Sequence, residues 1–144
     1  MATENILSAN RSYAYLSDGT LKYRPDNEGT ALRWLFIDNE GVVKSATGQT
    51  LAAKVNINAR ACGVDAESCL IPVSLQLANW AQKIIFLDQW SYDKFSFVFR
   101  EYEMDLLSAQ AKSVTLNLTD NYFYMQPQLV TILKEALPEL TYNA

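Results

Sequence analysis

The sequence feature that most constrains the fold is an aromatic stretch at residues 90–104, W-S-Y-D-K-F-S-F-V-F-R-E-Y-E-M. Phe95, Phe97 and Phe99 recur there at every second position, and this spacing places side chains on one face of a β-strand. Three phenylalanines on one face make an apolar sheet surface that another element must cover. The stretch therefore predicts a strand, and we expect the C-terminal helix to cover it.

The size and composition predict a folded domain. A chain of 144 residues predicts a single globular domain over residues 1–144, with frayed ends at 1–10 and 141–144. A hydrophobic fraction of 49% and a charged fraction of 19% exclude the disordered class. The sequence has no basic leader and no apolar run long enough to span a bilayer. We therefore expect a cytoplasmic protein without a signal peptide or transmembrane segment.

The charges favour a protein partner. The formal net charge is −4, and the acidic excess lies in residues 61–144. Contacts with phosphates need clustered Lys and Arg, whereas the basic residues here are scattered singly. Nucleic acid and anionic membrane are therefore disfavoured as partners, and a basic protein partner or self-association is favoured.

The first half of the chain has the turn spacing of successive hairpins. Glycines follow acidic residues at positions 19, 29 and 41, and another glycine lies at position 48. Turn residues at such intervals, with strand-like segments between them, predict an antiparallel β-meander. Its predicted strands are Arg11–Leu16, Thr20–Arg24, Ala31–Asp38, Val42–Ser45 and Leu51–Asn58.

The predicted third strand is the most apolar one. Residues 31–37, A-L-R-W-L-F-I, are almost continuously apolar, which predicts an inner strand buried on both faces. The tetrapeptide Asp-Asn-Glu-Gly follows it at 38–41 and also occurs at 26–29, where turn chemistry explains it better than calcium binding. The segment L-F-I-D-N-E-G-V-V-K resembles the hairpins of PAS-like and profilin-like sheets. That resemblance implies a small-ligand sensor as an alternative function.

The second half mixes strand and helix patterns. Ile71–Leu87 fits a short strand to Leu77 followed by a helix, or one helix that begins at Pro72. Ser113–Leu118 and Tyr122–Met125 predict a second hairpin. From Pro127 onward, an apolar stripe with helical spacing predicts an amphipathic C-terminal helix that Pro138 ends. The predicted fold class is therefore α+β, an antiparallel meander plus a second β-hairpin with helices packed on the sheet.

The residues available for chemistry exclude many enzyme classes. The chain contains no histidine, which removes the commonest general base and zinc ligand. Cys62 and Cys69 are too widely spaced for a C-x-x-C motif, and no phosphate-binding or dinucleotide motif is present. We therefore predict no catalytic residues, no metal ligands and no cofactor, with a small-molecule ligand left possible.

Acidic residues form one candidate site. Glu101, Glu103 and Asp105 continue the parity of the phenylalanines, which places them on one face of the predicted strand. Three interpretations stay open: a solvated acidic edge, a docking site for a basic partner, and a metal or carboxylate catalytic site.

Aromatic residues and one arginine form the other candidate interaction residues. Tyrosine and tryptophan are enriched at interfaces. An arginine on an inner strand must reach a carboxylate or a subunit contact, because an unpaired buried charge is very costly. The residues are Tyr13, Tyr15, Tyr23, Trp90, Tyr92 and Arg33.

These observations predict a non-enzymatic binding or assembly protein. It would be a subunit of a larger complex or particle, for example a phage structural component. The alternative is the small-ligand sensor or binding domain of PAS-like or profilin-like character. A third hypothesis is a carboxylate-dependent enzyme that uses Glu101, Glu103 or Asp105.

Overall fold

The computed structural model describes residues 13–15, 21–23, 32–65, 67 and 69–141. The chain divides into two compact units, Met1–Leu32 and Arg33–Ala144. In the first unit, β1 (Tyr13–Tyr15) pairs antiparallel with β2 (Leu21–Tyr23), as the sequence predicts for these residues. The predicted single domain over residues 1–144 stays a prediction.

The second unit is a parallel β-sheet with helices between its strands. The strands are β3 (Arg33–Asp38), β4 (Asn58–Gly63), β5 (Lys83–Phe86) and β6 (Ser113–Thr115). The helices are α1 (Lys44–Ala53), α2 (Leu75–Trp80), α3 (Gln89–Val98), α4 (Glu103–Ala111) and α5 (Pro127–Ala136), followed by a 3-10 turn (Pro138–Thr141). The strand order is β4-β3-β5-β6, and all three pairings are parallel.

The predicted α+β class is therefore wrong for this unit, which is an α/β sheet. Parallel neighbours need a long crossover connection, and helices supply it between consecutive strands. The turn-rich pattern of the first half predicted direct hairpins, but only β1 and β2 form one among the described residues. The turn at residues 38–41 does not lead into a returning strand. It leads into α1.

The inner strand predicted at Ala31–Asp38 is present as β3. Five of its six residues are buried, because both faces of the sheet are covered. Trp34 and Phe36 face a core shared with α1 and α5, whereas Leu35 and Ile37 face a second core shared with α2, α3 and α4. This alternation is the two-residue period of a strand with an apolar layer on each side.

The aromatic stretch is a helix, so the predicted strand is wrong. Asp88 caps α3 by accepting a hydrogen bond from the Ser91 backbone N–H at 2.8 Å. Phe95 is fully buried against Phe86, with ring centroids 5.2 Å apart, whereas Phe97 is 59% exposed. The spacing of two was coincidental, because only the residues at helical spacing from Phe95 face the core.

Two further predicted strands of the meander are wrong. Residues 42–45 form the end of a loop and the start of α1, and residues 51–58 contain the end of α1, a turn and only the first residue of β4. The buried residues of α1 are Ser45, Thr47, Gly48, Leu51 and Ala52, a helical spacing. The alternation of Leu51, Ala53, Val55 and Ile57 suggested a strand, but Ala53 is exposed.

The predictions for residues 71–126 fail in a similar way. Residues 71–87 contain a helix followed by a strand, which is neither the predicted strand followed by a helix nor a single helix from Pro72. Ser113–Leu118 does contain β6, but this strand pairs parallel with β5. Tyr122–Met125 is a loop rather than a returning strand.

The predicted C-terminal helix is present as α5. Pro127 is its first residue, and the helix ends at Ala136, ahead of Pro138. Leu129 and Leu133 are fully buried in the core that contains Trp34 and Phe36. No helix among the described residues is long and apolar enough to cross a membrane.

Gly48 allows α1 to approach the sheet closely. A Cβ at this position would lie 2.5 Å from a ring carbon of Phe36, which is fully buried. Gly48→Ala should therefore lower the free energy of unfolding by about 1–2 kcal/mol, because overpacking outweighs the gain of about 1 kcal/mol in helix propensity. Urea unfolding measures the change.

The matched control is Gln49→Ala, an exposed position on the same helix, which should not lower stability. A Gly48→Ala variant as stable as the natural chain would contradict the close approach of α1 and β3.

Candidate active site

A cleft of about 410 Å³ lies at the carboxyl ends of β3, β5 and β6. From β3 the chain connects to β4 on one side, and β5 and β6 lie on the other, so the strand order reverses between β3 and β5. In open parallel sheets, this switch point is where ligands bind. Three segments line the cleft, and its residues are Asp38, Asn39, Glu40, Val42, Val43, Lys44, Asp88, Trp90, Asp120, Asn121 and Tyr122.

The first wall is the loop 39–43 that connects β3 to α1. Asp38, the last residue of β3, accepts hydrogen bonds from the backbone N–H groups of Gly41 and Ser45, the latter at 2.9 Å. Gly41 has a φ of +79°, and a Cβ there would lie 2.9 Å from the backbone of Cys62. Only glycine fits this position, so the turn chemistry of Asp-Asn-Glu-Gly shapes the wall.

Asp38 is 3% exposed, and burial raises the pKa of its carboxyl group. Burial disfavours the charged form, and this effect outweighs the opposing hydrogen bonds from Ser45 and Gly41 and the positive charge of Lys44. The result is a carboxylate more basic than an exposed aspartate, at the inner end of the cleft.

Lys44 connects the segments that follow three strands. It is the first residue of α1, and its Nζ donates to Asp88 Oδ2 at 3.0 Å and to the backbone oxygen of Leu118 at 2.8 Å. Its side chain is only 17% exposed. An ammonium group has three N–H donors, so a third donor is available to a ligand.

Asp88 follows β5 and has the opposite electrostatic character to Asp38. Burial alone would raise its pKa, but the hydrogen bonds from Ser91 and the ion pair with Lys44 outweigh burial and lower it. Asp88 therefore stays ionised and holds Lys44 in place. Two carboxyl groups in one cleft thus have pKa values shifted in opposite directions.

The segment after β5, with Asp88, is the second wall of the cleft, and the segment after β6 is the third. Asp120 and Asn121 are exposed at the mouth of the cleft, and Tyr122 is half-buried beside them. Trp90, in the first turn of α3, is 52% exposed and faces the same cleft. The cleft is lined by four carboxyl groups and one lysine, so the net charge of the cleft is negative.

The predicted acidic site lies elsewhere. Glu101 is in the turn between α3 and α4, and Glu103 and Asp105 are in the first turn of α4. Glu101 and Glu103 are exposed, and Asp105 Oδ1 accepts a long hydrogen bond of 3.5 Å from Asn79 Nδ2. On a helix these residues do not share the strand face that was predicted for them. Their role in binding a partner stays a prediction.

The other candidate residues have separate environments. Trp90 lines the cleft, whereas Tyr92 packs edge-on against Phe86 at 5.2 Å. Arg33, at the start of β3, lies at the opposite edge of the sheet and donates from Nε to the backbone oxygen of Trp80 at 2.8 Å. The side chains of Tyr13, Tyr15 and Tyr23 lie outside the described residues.

Two further kinds of chemistry would require clustered metal ligands or an ionised thiol among the described residues. No group of three acidic or cysteine residues there is close enough to hold a metal ion. Cys62 and Cys69 are free, and burial, with the nearby Asp38 and Cys69, raises the pKa of the Cys62 thiol. A raised pKa makes a thiol a poor nucleophile at neutral pH.

Four residues of the cleft were not predicted as site residues: Asp38, Lys44, Asp88 and Asp120. Asp38 was assigned to a hairpin turn, although its position at the end of an almost continuously apolar strand is typical of a parallel sheet. For Asp88, the signal was an N-cap aspartate ahead of Ser91. Lys44 and Asp120 carry no local signal.

Comparisons with known proteins give one weak likeness. No family model and no curated protein matches the chain. Among solved structures, it is similar to a cysteine-to-serine mutant of the YwlE arginine phosphatase with a phosphorylated active-site serine, at 16% identity and a TM-score of 0.49. It is also similar to a YwlE mutant from Bacillus subtilis, at 14% identity and a TM-score of 0.44. Each of the two alignments covers 76% of this chain and 93% of the solved YwlE chain.

The prediction of a non-enzymatic assembly subunit or ligand sensor is contradicted. The solved structures to which the chain is similar are of an enzyme, an arginine phosphatase. The parallel sheet of this chain replaces the predicted meander. Of the aromatic residues on which the prediction depended, Tyr92 packs against the core, whereas Trp90 is exposed. The prediction of a protein partner or of self-association is untested and stays a prediction.

The ion pair between Lys44 and Asp88 predicts a pH-dependent stability. Asp88→Asn should lower the free energy of unfolding by about 1–2 kcal/mol at pH 7, since asparagine caps a helix as well as aspartate but cannot pair with Lys44. Because the folded pKa of Asp88 is lowered, its contribution exists above the unfolded value of about 4 and disappears as pH falls through the folded pKa. Urea unfolding of both proteins at pH 7 and near pH 2.5 measures the difference.

The control is Asp93→Asn, an exposed carboxylate on the same helix whose Oδ1 accepts a hydrogen bond from Gln89. We expect a change under about 0.5 kcal/mol at both pH values. An equal loss for Asp88→Asn at both pH values would contradict the ion pair as its cause.

Proposed function

We propose that this chain is a hydrolase that cleaves a phosphoryl group from a substrate whose leaving group is positively charged. The observation that carries the proposal is the position of Lys44, a cation held at the start of α1 in a cleft that is otherwise acidic. The residues that line the cleft support this function.

Lys44 and α1 supply the positive charge that a phosphoryl group needs. The N-terminal end of a helix carries a partial positive charge, and Val43 and Lys44, at this end of α1, line the cleft. Two N–H groups of Lys44 are used by Asp88 and Leu118, so the third can donate to a phosphoryl oxygen. Such donors stabilise the charge that develops in phosphoryl transfer.

The opposite pKa shifts of Asp38 and Asp88 divide their roles. Environments that separate the pKa values of two carboxyl groups indicate acid and base assignments. Asp88 stays charged and positions Lys44. Asp38, whose basicity burial increases, takes the proton of the attacking water as general base.

Asp120 and the aromatic residues support a cationic leaving group. Four carboxyl groups against one lysine repel a substrate that is anionic throughout, but they attract one with a guanidinium or amine behind the phosphoryl group. Trp90 and Tyr122 line the same cleft, and aromatic rings attract such a cation. The Asp120 carboxylate, exposed at the mouth, pairs with the cationic leaving group, and the leaving nitrogen takes its proton from the water there.

We also propose the cytoplasm as the location. Cys62 and Cys69 are free thiols, and structural disulfides are rare in that compartment.

The test is phosphate release from phosphoarginine by the purified full-length chain. We expect turnover, with kcat/KM at least about tenfold higher than for phosphoserine, because only phosphoarginine has a cationic leaving group. Lys44→Met and Asp120→Asn should each reduce kcat about 100-fold. Circular dichroism verifies that both variants fold.

Lys54→Met is the matched control, since Lys54 is an exposed lysine at the other end of α1. It should retain the natural activity. Absence of phosphate release by the natural chain, or full activity in a folded Lys44→Met variant, would refute the proposed function.

A further inference from the structure

The loop 119–126, which carries Asp120, is attached to α1 by side chains that do not line the cleft. The backbone N–H of Met125 donates to Thr47 Oγ1 at 2.9 Å. The hydroxyl groups of Thr50 and Tyr124 are 2.7 Å apart and hydrogen-bonded. Thr47 is fully buried, whereas the bond between Thr50 and Tyr124 is exposed. The Thr47 contact is therefore the one that water cannot replace.

Thr47 joins two walls of the cleft through a single hydroxyl. Its Oγ1 donates to the backbone oxygen of Val43 at 2.8 Å and accepts the N–H of Met125. Val43 precedes Lys44 and lines the cleft, and Met125 ends the segment that begins at Asp120. The hydroxyl thus fixes the distance between the wall with the lysine and the wall with the exposed aspartate.

The backbone of Met125 shows that this contact holds an unfavourable conformation. Its φ is +59°, which costs a residue other than glycine about 1 kcal/mol or more. Gln126 closes the same turn, since its Oε1 accepts the N–H of Phe123 at 3.0 Å and its own N–H donates to Phe123 O at 3.0 Å. A closed turn transmits a displacement at Met125 to the residues before it.

We propose that Thr47 is a positioning residue that sets the location of Asp120 relative to Lys44. This inference depends on the proposed function, in which the Asp120 carboxylate pairs with the cationic leaving group. Thr47 acts through the backbones of Val43 and of the loop, because its side chain is buried behind the cleft and is not among the residues that line it.

The test compares Thr47→Val, Thr47→Ser and Tyr124→Phe in the full-length chain with phosphoarginine. Thr47→Val keeps the volume but loses the hydroxyl, and we expect kcat to fall about tenfold or more with KM little changed. Thr47→Ser keeps the hydroxyl and should restore most of kcat. Tyr124→Phe removes the exposed bond and should change kcat less than about twofold.

A double-mutant cycle separates positioning from general loss of structure. If Thr47 acts through Asp120, Thr47→Val should cause no further loss in an Asp120→Asn background. An equal loss in both backgrounds, or natural kcat in Thr47→Val, would overturn the inference.

Hydrogen exchange of the Met125 amide, measured by NMR without substrate, distinguishes this inference from the proposed function. We expect exchange to become at least about tenfold faster in Thr47→Val but not in Thr47→Ser, with the amides of Ile84 and Ile85 unchanged. Unchanged Met125 exchange overturns the inference whatever the activity. A natural chain that releases no phosphate overturns the proposed function and the catalytic role of Thr47, even if the exchange result stands.

Discussion

The buried carboxylate of Asp38 is the constraint on which the carboxyl edge of the sheet depends. A charge inside a protein is tolerated only with hydrogen-bond donors or an opposite charge around it. The backbone N–H groups of Gly41 and Ser45 supply the donors, and Lys44 supplies the charge. Because these donors must reach the Asp38 carboxylate, the loop 39–43 folds around it, and α1 begins directly after the loop.

The position of Lys44 follows from that loop. Once α1 begins at Lys44, its ammonium group reaches Asp88 after β5 and the backbone of Leu118 after β6. The Lys44 side chain thus links the segments that follow β3 and β5, the two central strands, to the segment that follows the edge strand β6. The cleft is the space left between these segments, and its acidity follows from carboxylates at the ends of separate strands.

The sequence predicted elements whose formation depends on near neighbours. The apolar run of β3, the stripe and flanking prolines of α5, and the β1–β2 hairpin are local patterns, and each is present. The strand predicted for the aromatic stretch is wrong because the two-residue spacing of its phenylalanines competed with a helix cap. Asp88 and Ser91 begin a helix there, and burial of Phe95 against Phe86 then decides between the two patterns.

The candidate site was much less predictable. Asp38 and Gly41 could be identified as turn residues, since the side chain of an aspartate and the positive φ of a glycine act within four residues. Lys44 and Asp88 are 44 residues apart, and Thr47 and Met125 are 78 apart. Contacts of this range exist only after the strand order is set.

The sequence by itself determined which segments are apolar enough to be buried and where the chain turns, because these properties depend on side chains within a few residues of each other. The tertiary structure alone decided that the sheet is parallel, that β3 lies between β4 and β5, and that Asp38, Lys44, Asp88 and Asp120 share a cleft. The physical reason is that strand pairing gains its energy from backbone bonds and packing between distant segments. A turn pattern compatible with a hairpin is equally compatible with a crossover to a helix.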